Sequence, residues 1–463
     1  MLASFYSGLS GLDAHLLGMN VLGNNIANVN TVGFKSSLPI FQDILSQSIG
    51  DINGGGQVGL GVCIGCITPS FSQGAFETTD VPTHLAIQGN GFFVLGDDAG
   101  NKFYTRAGNF IFDKEYDLVN ANGLDVLGWT ATTGTGAINA SGQASKIHLP
   151  LGMTMDPAAT SLFKTNINLN REATVDNPST SSVNEADVFS TSLTIYDSVG
   201  AAHTVTLEFT PIDENGDSIL DRWDWTASVA KSEVASSAVG YGAGQLPPTE
   251  DGKGVIIARG DGNEAATGNP ALDFDPMRFD SSGMLISNGG AASLDFAPVD
   301  WANGAVDQGL AWQIKSGIDS GSTYLTGYAL NSAISYTYQD GYSIGEMESV
   351  VIRPDGTIVG VFSNGTSRAV AQIALATFPA PTSLTMMGEN MFAQAPGSGN
   401  PTIGAAKTGG RGTILGGNLE MANVDLTSQL TSMIIMQRGF QACSRIITTA
   451  DDMIQQMLAV KQR

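Results

Sequence analysis

The chain has 463 residues, a formal net charge of −23, only 14% charged side chains and 57 glycines. The acidity excludes nucleic acid as a partner, because phosphate recognition needs a basic face. Length and glycine content together predict roughly two to four domains, β-rich and full of turns, rather than a helical bundle.

The N-terminus reads as a helix. Phe5, Leu9, Leu12, Leu16, Met19 and Ile26 recur in alternating steps of four and three, with Gly23 at the one skipped step. Such a narrow seam is that of a helix pairing with a partner helix. "GNNIANVNTVGFK" (23 to 35) follows, with Asn24, Asn25, Asn28 and Asn30 crowded together and Gly33 close behind. Asparagine tolerates left-handed backbone and bonds to its own chain, so the cluster suits a helix end and a turn. We read it as a joint, continued by a linker over 31–74. The first 34 residues hold no Lys or Arg, so a secretory leader is not expected. No run of about 18 apolar residues occurs, so no membrane insertion is expected either.

Short motifs along the chain suggest chemistry but lack its context. Cys63 and Cys66 form C-x-x-C inside a run that alternates like a strand, where residues three apart face opposite ways. Redox and zinc versions need a helix N-terminus or a second ligand pair, so two packed thiols are the expectation. "GGGQVG" (54 to 59) has dinucleotide-loop spacing, but a strand-like run follows where a helix is required. "DENGD" (213 to 217) lacks the Gly and Glu of a calcium loop and reads as a turn. Arg259, Gly260 and Asp261 spell a cell-adhesion tripeptide that chance explains in a Gly-rich acidic segment. His15, His84, His148 and His203 are scattered, without a catalytic motif. No catalytic residue, cofactor or metal is expected.

Between the ends the texture is β. Residues 84 to 129 show short apolar runs separated by Gly, Asp and Asn at hairpin spacing, and 346 to 365 hold Pro-Asp-Gly between two β-branched runs. The segment from Arg171 to Leu330 carries 23 acidic against 7 basic side chains, so most of the acidity lies in the middle third. It reads as an insertion, 151–334, of one or two domains, in a β-rich frame of 75–150 with 335–424.

The C-terminus is a longer helix. Leu426, Leu430, Met433, Phe440, Ile447, Ile454 and Leu458 share one seven-residue register, interrupted at Gln437, Ser444 and Asp451. Ile435, Ala442, Ile446, Thr449 and Met453 form a second stripe, and Asp425 suits the N-cap. Residues 425 to 463 would span about 58 Å. The two helical segments, 1–30 and 425–463, are expected to pair and to leave the second stripe bare as a partner surface. The fold class is therefore mixed and mainly β, with long paired terminal α-helices and discontinuous β-rich domains.

Three long segments carry a family resemblance. "SFYSGLSGLDAHLLGMNVLGNNIANVNTVGFKSS" (4 to 37) resembles the N-terminal signature of bacterial flagellar rod and hook axial proteins. "LAIQGNGFFVL" with "YTRAGNFIFD" and "LVNANGLDVLGW" (85 to 129) is similar to their β segment. "GGNLEMANVDLTSQLTSMIIMQRGFQACSRIITTADDMI" (416 to 454) is similar to their C-terminal signature. "TNINLN" (165 to 170) and "TIYDSVGAAHTVTLEF" (194 to 209) resemble the outer domain of the hook member, with a distal rod subunit as the alternative. This chain departs from the family at His84, at Tyr116, where the turn lacks its usual Gly, and at Cys443.

The resemblance implies a structural subunit, not an enzyme. It implies assembly into a curved tube with a central export channel, a flexible universal joint passing torque from rod to filament. The terminal helices would be axial, the β frame the wall, and the insertion the outside. Implied partners are neighbouring copies, the distal rod protein, the hook cap, the hook–filament junction proteins and the flagellar export apparatus, all at an extracellular location on the flagellum.

Overall fold

The computed structural model describes residues 2–44, 47–48, 57–97, 99–132, 136–140, 142–150, 152–175, 187–214, 220–235, 249–250, 254–260, 274–286, 293–296, 298–314 and 324–461. Gly54 to Gly56, the second half of "DENGD", Asp261 and the side chain of Leu458 lie outside that description. The chain divides into two compact units: a terminal unit of residues 1–153, 347–361 and 367–463, and an inserted unit of 154–346 with 362–366.

In the terminal unit, α1 spans Leu2–Ala27 and α2 spans Leu426–Lys461. The 36 residues of α2 make a rod of about 54 Å. Asp425 caps it, accepting the Thr427 backbone N–H at 3.0 Å. Segment 31–74, expected as a linker, instead carries an antiparallel pair, Ser37–Asp43 with Val62–Pro69. Cys63 and Cys66 lie on the second of these strands. Both are free and exposed, so the expected packing of the two thiols is not found: neither of their strand positions is covered.

The β body of this unit joins distant sequence. Asp125–Thr130 pairs with Phe92–Gly96 and with Ser367–Thr377. Leu85–Gln88 pairs with Thr413–Gly416, and Phe76–Thr78 with Asn418–Glu420. The approach to α2 thus runs beside the segment that follows the joint. Leu85, Ile87, Phe93, Phe110, Ile373 and Ile414 form one core. The Pro-Asp-Gly turn is present, with Gly356 at φ 82° and its N–H donating to the Arg353 carbonyl at 2.9 Å. Tyr116 takes φ 63° without a glycine's freedom. Asp113 supports that turn, its Oδ1 accepting the backbone N–H groups of Glu115 and Asp117, each at 2.9 Å.

In the inserted unit, two five-stranded sheets share one core. The strand Ala202–Ile212 alternates cleanly, with His203, Val205, Leu207 and Phe209 inward and polar residues outward. Trp223, Trp225, Trp301 and Trp312 are fully buried there. The unit runs on to Glu346, past the expected limit at 334, because Ala333–Gln339 pairs antiparallel with Leu162–Asn168.

Asp197 is the electrostatic knot of this unit. Its Oδ1 accepts the backbone N–H groups of Val199 and Ala201 at 2.9 and 2.8 Å. Its Oδ2 accepts from Asn303 and lies 3.1 Å from His203 Nε2, whose Nδ1 lies 3.0 Å from Glu233. Burial alone would raise the Asp197 carboxyl. The hydrogen bonds from Asn303, His203 and the two backbone groups outweigh it and hold the pKa at about 2. A depressed carboxylate stabilises the fold above its unfolded value near 3.8 and loses that contribution as pH falls toward 2. Between pH 5 and 2, the parent is expected to lose about 2 kcal/mol more unfolding free energy than Asp197→Asn, followed by tryptophan fluorescence. Equal slopes in the two proteins would refute this assignment.

Candidate functional site: the helix pair and its joint

The helices pair through small residues. On α1 the buried row is Gly8, Gly11, Ala14, Gly18, Leu22 and Asn25. A Cβ at Gly8 would lie 3.2 Å from Ile447, at Gly11 2.8 Å from Cys443 Sγ, and at Gly18 3.4 Å from Met436 Sδ. On α2, a Cβ at Gly439 would lie 2.6 Å from the His15 ring. Partners fall along α2 as numbers rise along α1, so the pair is antiparallel. Close approach of two helices requires small side chains at the crossing.

This row is not the large-residue seam that periodicity singles out. Phe5, Leu12, Met19 and Ile26 are half-buried, while Leu9 and Leu16 are 40% and 45% exposed. On α2, Met433, Phe440, Ile447 and Ile454 lie on the covered face, but Leu426 and Leu430 are exposed. Met436, Cys443 and Ala450 fill the alternate positions, each one residue before the interruptions at Gln437, Ser444 and Asp451. The physical reason is steric: glycines let the partner's side chains fill the interface, and the large residues of α1 are left at its edges. Ile435, Ala442, Ile446, Thr449 and Met453 are all exposed.

The asparagine cluster ends α1 and ties it down. Asn24 and Asn28 bond to each other across the last turn, Asn28 Nδ2 donating to the Asn24 carbonyl at 2.9 Å, and Asn30 is exposed. Asn25 is fully buried and does more. Its Nδ2 donates to the Ser37 carbonyl at 2.8 Å and to Gln429 at 3.1 Å, and its Oδ1 accepts the Ser37 N–H at 2.9 Å. One amide therefore joins α1, the following strand and the start of α2. Gly33, at φ 70°, sits where a Cβ would lie 2.4 Å from the Ala107 backbone, and its N–H donates to the Glu420 carbonyl at 2.7 Å.

Beneath the joint lies an ion cluster that the sequence reading did not find. Glu420 is fully buried. Lys35 Nζ donates to its Oε1 at 2.6 Å, and Arg106 Nη1 to its Oε2 at 3.3 Å. Lys35 also donates to the Ser72 carbonyl, and the Gly74 N–H to Glu420 Oε1. Burial lowers the pKa of both cations, and Glu420 opposes it. The only sequence signal was Lys35 itself, the first basic residue of the chain. Its partners, 71 and 385 positions away, are not signalled by local pattern.

Two outcomes test this geometry. Glu420→Gln leaves two buried cations without their counter-charge and should cost about 3–5 kcal/mol in urea unfolding of the terminal unit; a loss below 1 kcal/mol contradicts a buried cluster. Gly11→Leu should separate α1 from α2 and lower the helical circular dichroism, whereas Leu16→Ala should not. The opposite order would restore the large-residue seam.

Comparison with known proteins fits these elements. Residues 5–35 match a model described as flagella basal body rod protein, 86–174 the flagellar hook protein FlgE/F/G D1 domain, 166–342 the flagellar basal body protein FlaE D2 domain, and 415–460 the flagellar basal body rod FlgEFG protein C-terminal. Flagellar hook protein FlgE of Treponema pallidum is 35% identical, and that of Borreliella burgdorferi 34%, each over 100% of both chains. The Salmonella typhimurium protein is 30% identical over 99% of this chain and 100% of its own. The crystal structure of Helicobacter pylori flagellar hook protein FlgE2 aligns at a TM-score of 0.48 and 16% identity, covering 74% of this chain and 100% of that one. By its full-length sequence similarity, insertion included, the chain belongs to the flagellar hook protein FlgE family.

Proposed function

We propose that this chain is the structural subunit of the bacterial flagellar hook, polymerising with copies of itself into a curved, hollow tube that passes torque while it bends. The observation that carries the reading is the apolar surface of the helix pair. Tyr6, Leu9, Leu16, Leu17, Leu430, Ile434, Ile435, Ile446 and Met453 are all exposed. Each large apolar side chain left in water forgoes roughly 1.5–3 kcal/mol. Neighbouring copies arranged around an axis would cover these stripes, placing the helices inward. The β body would form the wall. The acidic insertion would face outward, where hydrated contacts can slide. A distal rod subunit, the alternative, is the weaker reading, since relatives named as hook proteins match over the whole chain.

The role is structural rather than catalytic, and the tube's lumen would serve export. The distal rod protein, the hook cap, the hook–filament junction proteins and the export apparatus would be its further partners, on the extracellular flagellum. Among the described residues no helix is long and apolar enough to cross a membrane, and no group of three or more His, Cys, Asp or Glu is placed to hold a metal.

Leu430→Asp and Ile435→Asp leave the α1–α2 crossing intact and should abolish or sharply reduce tube formation, scored by electron microscopy, with unchanged circular dichroism. Single charge reversals between 171 and 330 should reduce it far less. Comparable losses from both sets would sink the inside–outside assignment.

A further inference from the structure

The β body of the terminal unit contains a cleft of about 290 Å³ that the assembly reading does not use. Phe71, Phe92 and Phe378 wall it. Phe71 and Phe378 each meet Phe92 edge to face, at centroid distances of 5.2 and 6.0 Å. Asn90, Gly91 and Arg106 line the same cleft. Arg106 is 3% exposed, and its guanidinium carbon lies 5.3 Å from the centroid of the Phe92 ring. Its Nη2 donates to the Gly89 carbonyl at 2.8 Å and its Nη1 to Glu420, but its Nε is buried without any hydrogen-bond partner.

The charge balance points the same way. Lys35 and Arg106 are both buried and share one carboxylate, Glu420. Among the described residues no other carboxylate pairs with either, so the cluster keeps one positive charge, inside a chain of net charge −23. A buried guanidinium with an uncompensated charge is best satisfied by an anion, and guanidinium geometry favours a carboxylate. Aromatic walls favour a ligand with an apolar body. The volume is at the lower end for ligand pockets, which suits a small molecule or a single side chain.

We propose that this cleft is a carboxylate site, in which the Arg106 guanidinium faces a carboxylate whose apolar body lies among Phe71, Phe92 and Phe378. The carboxylate comes either from a free small acid or from a neighbouring copy of this chain.

The test uses the full chain in its unassembled state, titrated with phenylacetate and with phenylacetamide, by calorimetry and by the NMR shifts of the phenylalanine rings. Phenylacetate should bind at least tenfold more tightly than the amide. Arg106→Lys, which retains a cation but loses the planar guanidinium fork, should weaken it tenfold or more. Phe378→Ala leaves the ion cluster intact and should weaken phenylacetate several-fold while acetate binding is unchanged. Equal binding of acid and amide, no binding of either, or an Arg106→Lys variant that binds like the parent would each overturn the proposal. Repeating the titration on assembled tubes assigns the source. Loss of binding there, with slowed assembly in phenylacetate, marks a neighbour's carboxylate; unchanged binding marks a free acid.

Discussion

One buried carboxylate organises the terminal unit. Glu420 takes hydrogen bonds from Lys35 just past α1, from Arg106 in the β body, and from the backbone of Gly74. The residue lies six positions before α2, so the strand that leads into the second helix is held where the first helix ends. Removing charges from water is costly unless the geometry is good and the remaining atoms are satisfied. Here both carboxylate oxygens are used, and the arrangement holds only when four distant segments are in place together. Asn25, Asn423 and Gly33 act on the same junction. Asn423 Nδ2 donates to the Ser70 carbonyl at 2.8 Å, and its Oδ1 accepts the Ser36 N–H at 2.8 Å. The asparagine-rich stretch is therefore more than a helix cap: it is one side of a fixed crossing between the two ends of the chain.

The helix pair follows a different rule from the one that large apolar residues suggest. Its crossing is made by glycines and an alanine on α1 against medium-sized side chains on α2. That choice brings the helices close and leaves leucines and isoleucines outside. A pair held by a large-residue seam would have used up the apolar surface that a polymer needs. Cys443, one of the chain's departures from the family resemblance, faces Gly11 in this crossing, so its position is one of packing.

The inserted unit stands on its own core. Four tryptophans, with Phe163, Phe209 and Phe296, fill the space between its sheets, while the alternate positions of the strand Ala202–Ile212 turn polar side chains outward. The strict alternation of Ala202–Ile212 is what keeps those two populations apart, since a slip of one residue would exchange them. Gln308, drawn inward, is matched: it donates to the Thr160 and Tyr196 carbonyls and accepts from Trp301 Nε1. An unmatched amide at that depth would be a clear cost.

The sequence by itself determined the local elements. Periodicity placed both helices, Asp425 marked the start of α2, Pro-Asp-Gly marked its hairpin, and the asparagine cluster marked where α1 ends. These signals depend on neighbours a few residues apart, which is the range over which turn chemistry and side-chain direction act. Only the tertiary structure decided which helix face is buried, that 31–74 holds paired strands, that the insertion extends through Ala333–Gln339, and that Lys35, Arg106 and Glu420 meet. Each of those depends on the shape or charge of a segment far away in the chain. A glycine row carries no hydrophobic signal until a second helix lies against it, and a lone lysine carries none until a carboxylate 385 residues away is brought to 2.6 Å.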